Sequence, residues 1–150
     1  PQARRALEIH GAVVKAYDGM EPAQLADAPT EALKGLSPAT ASRLEAAFGM
    51  TSIRDMADNR LVEQANGIVT LANEESGESV EQNPGTYHES LVELADGPVS
   101  RLKGITPRQA RALRETLHTR TIRELADNRF FKLARAIVAL ADMEANQDSK

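Results

Sequence analysis

Apolar residues along this chain recur at three- and four-residue spacing. Ala110, Leu113 and Leu117 share one helical face in residues 107–117, and Ala41, Leu44 and Phe48 share the equivalent face in 38–48. The stretches "NRLVEQANGIVTLANE" and "NRFFKLARAIVALADME" carry an apolar stripe nearly half a helix circumference wide, as in a helix packed against two neighbours. Near the start, Leu7, His10, Val13 or Val14, and Tyr17 predict a further helix within the first twenty residues. The pattern predicts an all-α fold of about eight to ten helices, several of them short, and no sheet.

Local punctuation sharpens these elements. Pro29 and Pro98 suit the start of a short helix, and Gly35 and Gly104 suit a left-handed end to it. Ser37 and Thr106 then stand as N-caps, with Pro38 and Pro107 at the first helical position. The result is a helix, a hairpin and a second helix. Further on, "TIRE" from Thr121 and "SIRD" from Ser52 read as capping boxes that open another helix. Asp58-Asn59-Arg60 recurs as Asp127-Asn128-Arg129, where Asp or Asn caps the final helix of each set.

These signals come in pairs because the sequence repeats itself. A shift of 69 residues aligns 33–60 with 102–129, with 12 identities in 28 positions. The register extends back through Leu25-Ala26-Asp27 and Pro29 against Leu94-Ala95-Asp96 and Pro98, and forward along the final helices. One helical unit is therefore present twice. The expected organisation is residues 1–75 as an N-terminal helix plus the first repeat, 76–89 as an acidic linker, and 90–150 as the second repeat with a polar tail.

Charge separates the two copies. Residues 98–135 hold ten Lys and Arg against three acids, an excess of seven, whereas 29–66 holds four against five. Residues 67–97 have seven acids and no base, so the chain is strongly dipolar although its net charge is only -4. Seven charges concentrated over 38 residues create a local field. On a helix starting at Pro107, Arg108, Arg111 and Arg114 point away from the Leu113 core, as charges on a solvated face do. The acidic linker is expected to fold over the basic repeat and screen it.

Composition narrows the chemistry. There is no cysteine, which excludes disulfides and thiolate metal sites and makes the reducing cytoplasm the natural compartment. No apolar run reaches the length of a membrane span, and charge interrupts the N-terminal stretch too often for a secretory signal core. His10, His88 and His118 fall in unrelated contexts with no ligand spacing, so neither metal nor cofactor is expected. Aromatics are 3% of the chain with no Trp, which removes the usual parts for stacking bases. No phosphate-binding loop, nucleophile elbow or paired-carboxylate signature appears, and no enzyme is expected.

"LKGITPRQA" and "LKGLSPATA" resemble the helix-hairpin-helix family, whose hairpin runs Leu, any residue, Gly, Ile or Val, Gly, Pro, often a basic residue, any residue, Ala. The first copy also looks like the N-terminal helical domain of recombinases through "PATASRLEAAFGMTSI". The resemblance implies paired hairpins in a compact helical domain, with the amide of the second Gly helping to hold a DNA phosphate. Leu102, Gly104, Ile105, Pro107, Arg108 and Ala110 match the pattern; Thr106 replaces the second Gly. The first copy keeps Leu33, Gly35, Leu36, Pro38 and Ala41 but has Ser37 for that Gly and Ala39 for the basic residue.

Two expectations follow. The leading one is a non-catalytic protein-protein adaptor or assembly subunit, because both hairpins lack the phosphate-approach Gly and the chain is acidic overall. The alternative is sequence-non-specific binding of duplex DNA through the second hairpin. Either would use Arg101, Lys103, Gly104, Thr106, Arg108, Arg111 and Arg114, on a frame set by Gly35, Ser37, Pro38, Gly104, Thr106 and Pro107.

Overall fold

Pro38 and Pro107 each open an eleven-residue helix, and in both cases the preceding hydroxyl closes its first turn. A computed structural model describes residues 9–75 and 90–148. Its α-helices are α1 (Pro22–Ala26), α2 (Pro38–Phe48), α3 (Ile53–Ala57), α4 (Arg60–Glu75), α5 (Leu91–Ala95), α6 (Pro107–Leu117), α7 (Ile122–Asp127) and α8 (Arg129–Asp148). Short 3-10 turns lie at Lys15–Tyr17, Thr30–Ala32 and Val99–Arg101. The fold is all-α; among the described residues the extended contacts are three isolated bridges, with no strand.

The elements recur at the offset of 69. The starts of α1 and α5, α2 and α6, α3 and α7, and α4 and α8 are all spaced by that number. The bridges Pro29–Ser52 and Pro98–Thr121 are related in the same way. So are the backbone bonds from Ile53 N–H to Ala28 C=O and from Ile122 N–H to Gly97 C=O, each 3.0 Å.

Caps explain the boundaries. Ser37 Oγ accepts Thr40 N–H at 3.1 Å, and Thr106 Oγ1 accepts Gln109 N–H at 3.1 Å. Ser52 with Asp55 and Thr121 with Glu124 complete reciprocal capping boxes. Asn59 Oδ1 takes the amides of Leu61 and Val62 and so caps α4. At the far end of α2, Gly49 adopts the left-handed conformation, and His118 does so at the end of α6 with φ 54°.

Three expectations need revision. Residues 9–20 are not a helix beyond the turn at Lys15–Tyr17. Gly11 and Gly19 take left-handed φ there, and Val13 pairs in an antiparallel bridge with Leu33, flanked by Val14 N–H to Ala32 C=O and Lys34 N–H to Ala12 C=O. The short helices expected from Pro29 and Pro98 are single 3-10 turns in which each Pro is the cap, and Leu33 and Leu102 are already extended before the glycine. On α6 the buried residues are Ala112 and Leu113, with Ala110 and Leu117 half-buried, so the apolar face is rotated toward position 112.

The compact units cut across the sequence repeats. One unit comprises 1–58 and 129–150; the other comprises 59–128. In the first, α8 packs on α1 and α3; in the second, α4 packs on α5 and α7. Each front half is thus completed by the long helix of the other copy. The crossings fall within the identical trios, at Asp58/Asn59 and Asn128/Arg129. The expected division at 76–89 lies outside the described residues.

The buried stripes fit this arrangement. Leu25, Ala26, Ile53 and Met56 are buried in the first unit together with Phe131, Ala134, Val138 and Ala141 of α8. In the second unit Ala95, Ile122, Leu125 and Ala126 are buried with Val62, Ala65, Val69 and Ala72 of α4. Burying a side chain such as Phe131 contributes about 2–3 kcal/mol by removing apolar area from water.

Candidate partner-binding surface

The second hairpin turns at Gly104, whose φ of 88° disfavours a side chain even though no neighbour would meet a Cβ there. Three of its backbone donors, at Lys103, Ile105 and Thr106, are engaged. Lys103 N–H donates to Gln64 Oε1 at 2.8 Å, while Gln64 Nε2 donates back to Lys103 C=O at 3.0 Å. Ile105 N–H bonds Leu102 C=O at 3.4 Å. Thr106 N–H donates to Gln109 Oε1 at 3.0 Å, and the Thr106 hydroxyl accepts from Gln109 N–H. The amide at the position where the resembled family would hold a phosphate therefore already has a partner. Freeing it would mean breaking a capping box of about 1 kcal/mol.

Side chains beside the hairpin are in the opposite condition. Lys103, Arg108, Arg111 and Arg114 are exposed and form no salt bridge among the described residues. Arg101 is exposed too. Between Gly97 and Arg114 there are five basic residues and no acid. Arg108, Arg111 and Arg114 follow one another at three-residue steps on α6, so they form one solvated cationic face. Position along α6 tunes them: Arg114 lies in the last turn, where the helix dipole favours a cation, while Arg108 and Arg111 face the less favourable N-terminal half. Those two are the guanidinium groups that would gain most from an incoming anion.

The ten basic residues read together in the sequence do not all belong to this surface. Arg129, Lys132 and Arg135 lie on α8, in the other unit. Arg123 is held by Asp96 at 2.9 Å and by Asn73 Oδ1 at 3.1 Å. Among its described residues the second unit carries eight bases and eight acids. What distinguishes it is placement, since its acids lie on other elements than the hairpin and the first turns of α6. The acidic linker expected to screen this face lies outside the described residues.

The first hairpin is built alike with different chemistry. Arg129 Nη1 donates to Lys34 C=O at 3.1 Å, and the Phe130 ring lies 3.6 Å from where a Cβ on Gly35 would stand. Gly35 has φ 97°. Ser37 caps through its hydroxyl, which also donates to Thr40 Oγ1 at 3.0 Å. Pro38 leads α2, and Ala39 provides no charge where the second copy has Arg108. This copy offers an anion little.

Two carboxylates are tuned, both for structural reasons. The amides and hydroxyl of Thr51 and Ser52 hold Asp55 below the usual carboxylate range, with Thr51 the stronger influence. The amides of Arg120 and Thr121 do the same for Glu124. Arg54, hydrogen-bonded to Asp142, is raised above its usual value. His10 does meet a carboxylate, Asp18 Oδ1 at 2.6 Å, a pairing its sequence context hid. Among the described residues no group of three or more His, Asp or Glu could hold a metal ion, and no helix is long and apolar enough to cross a membrane.

Sequence reasoning missed Gln64 and Gln109, the two glutamines that close the second hairpin. Gln109 had a signal, since Thr-x-x-Gln is a capping box; Gln64 had none, as it lies 39 positions from Lys103. Comparison of the chain with protein-family models, characterised proteins and solved structures returns no match.

Proposed function

We propose that this chain is a non-catalytic binding module, a protein-protein adaptor or assembly subunit, that docks an acidic protein partner on the arginine face of α6. The observation that carries the reading is the contrast at the second hairpin. Its amides at Lys103, Ile105 and Thr106 are bonded internally, while the neighbouring Arg108, Arg111 and Arg114 side chains are exposed and form no salt bridge among the described residues. The amide with which the resembled family helps to hold a DNA phosphate falls at Thr106, where it is already bonded to Gln109. A protein surface bearing Asp and Glu needs only the guanidinium groups, which bind carboxylates in bidentate fashion.

The duplex-DNA reading draws on the same arginines and on the acid-free stretch from Gly97 to Arg114. Phosphates can be neutralised by side chains alone, so such binding would be non-specific and salt-sensitive. Capture from a nuclease-treated lysate tests the adaptor reading. Wild-type protein should retain a partner that Arg108→Glu with Arg111→Glu releases. Partners captured equally by both proteins, or lost on nuclease treatment, would contradict it.

A further inference from the structure

Arg114 also belongs to a second feature, a groove of about 200 Å³ away from the hairpin turn. Its lining comes from three separate segments: Pro98, Val99 and Ser100; Ala110 and Arg114 of α6; and Thr119 and Arg120 after it. All three segments lie in one compact unit.

The chemistry of the groove is simple. Val99 and Thr119 are buried and form its floor with half-buried Ala110; Arg114 and Arg120 are exposed. The polar backbone is already engaged, since Val99 N–H donates to Arg120 C=O at 2.9 Å and Thr119 N–H to Leu113 C=O at 3.1 Å. The Thr119 hydroxyl donates to Leu117 C=O at 3.2 Å. Glu124 accepts the Arg120 amide, but neither guanidinium forms a salt bridge among the described residues. An occupant would therefore find apolar contact below and two cationic groups beside it, with the amides of Val99, Thr119 and Arg120 already bonded.

The first copy supplies the contrast. Moving 69 positions back replaces Ser100 by Glu31, Arg114 by Glu45 and Arg120 by Thr51, while Pro98 and Ala110 remain Pro29 and Ala41. The same frame, bridged at Pro29–Ser52 as at Pro98–Thr121, carries acids in one unit and arginines in the other. Charge at this groove can therefore change while the local fold persists.

We infer that the groove lined by Val99, Ala110, Thr119, Arg114 and Arg120 is a binding site for an acidic peptide segment, taking one aliphatic side chain on its floor and flanking carboxylates on the two arginines. The occupant is fixed by charge complementarity. An apolar peptide would leave two cations unanswered, and a nucleic-acid backbone offers no aliphatic group to the floor. This inference rests on the protein-binding reading and adds Arg120 and the chemistry of the partner.

The test uses the full chain, isotope-labelled, titrated with a blocked pentapeptide Glu-Leu-Glu-Val-Glu and with the same peptide carrying Gln for Glu. The acidic peptide should shift the amides of Val99, Ser100 and Thr119 in a saturable way, and the Gln peptide should bind at least about tenfold more weakly, as loss of charge-assisted pairing requires. Giving the groove the charge pattern of the first copy, Ser100→Glu, Arg114→Glu and Arg120→Thr, with the floor residues Val99 and Thr119 kept, should also weaken binding about tenfold or more. Arg120→Thr alone, the milder variant should the triple one misfold, should weaken it about threefold or more. Arg60→Gln, which removes one positive charge from the same unit outside the groove, should leave affinity within about twofold. Shifts confined to Arg108 and Arg111 would overturn the groove and leave the α6 face as the docking surface. Equal binding of both peptides, or none, would overturn the groove while the lysate capture still decides the wider reading.

Discussion

Arg123 reaches Asp96 with its Nε at 2.9 Å, and Arg54, 69 positions earlier, faces Asp27 in the same way at 3.7 Å. Each arginine also grips a long helix of the other copy. Arg123 donates to Asn73 on α4 and Arg54 to Asp142 on α8, and 73 and 142 are again 69 apart. The two clamps are one device used twice, and they record the exchange of long helices between the front halves.

These clamps are partly exposed, so their effect is modest. Arg123→Ala and Arg54→Ala should each lower unfolding stability by about 0.5–1 kcal/mol. Denaturant titration at low and high salt measures this. The loss should shrink at high salt, because screening already weakens the wild-type pair.

The exchange itself makes a sharper prediction. Phe131 lies in the second sequence repeat but is buried in the first compact unit. Phe131→Ala should cost about 3–5 kcal/mol, the usual range for emptying an aromatic core site. Hydrogen exchange should then quicken in α1 and α3 and stay slow in α7. Fast exchange in α7 with α3 unchanged would mean that each repeat keeps its own long helix.

His118 stands where the first copy has Gly49, and both are left-handed. Among the described residues its ring forms no hydrogen bond or ion pair that would favour the strained conformation. His118→Gly should stabilise the protein by about 0.5–1 kcal/mol, relief of left-handed strain outweighing the added freedom of glycine in the unfolded chain. Thermal unfolding would show a higher midpoint.

Much of this architecture was legible in the sequence because its signals are local. The caps at Ser37, Ser52, Thr106 and Thr121 act within three or four residues, and each formed as its motif predicts. The exposure of Arg108, Arg111 and Arg114 followed from helical spacing. The choice of cradle by α4 and α8 was not legible. Equivalent residues line both cradles, so apolar pattern alone does not distinguish them. The failed N-terminal helix has the same origin: Val13 is held by a strand-like contact with Leu33, which periodicity cannot see. The groove escaped because it gathers three separate segments between Pro98 and Arg120 that only the folded backbone brings together.

Acid should weaken the fold in a defined window. Asp55 and Glu124 titrate below their usual values in the folded chain, so the folded state binds protons less readily than the unfolded one. Their stabilisation is complete above the ordinary carboxylate range near about 4 and fades as pH falls through the depressed values. Asp55→Asn with Glu124→Gln should lower stability at neutral pH and flatten the loss between about pH 5 and 2. Denaturant midpoints across that range would measure both effects.

The central claim is that the cationic face beside a closed hairpin serves a protein and not a nucleic acid. Titrating duplex DNA at two salt concentrations, with wild type and an Arg108→Ala, Arg111→Ala variant, tests it most directly. The account predicts no saturable binding near physiological salt and no difference between the two proteins there. Tight binding that falls steeply with salt, with a slope reduced by about one to two in the variant, would contradict it.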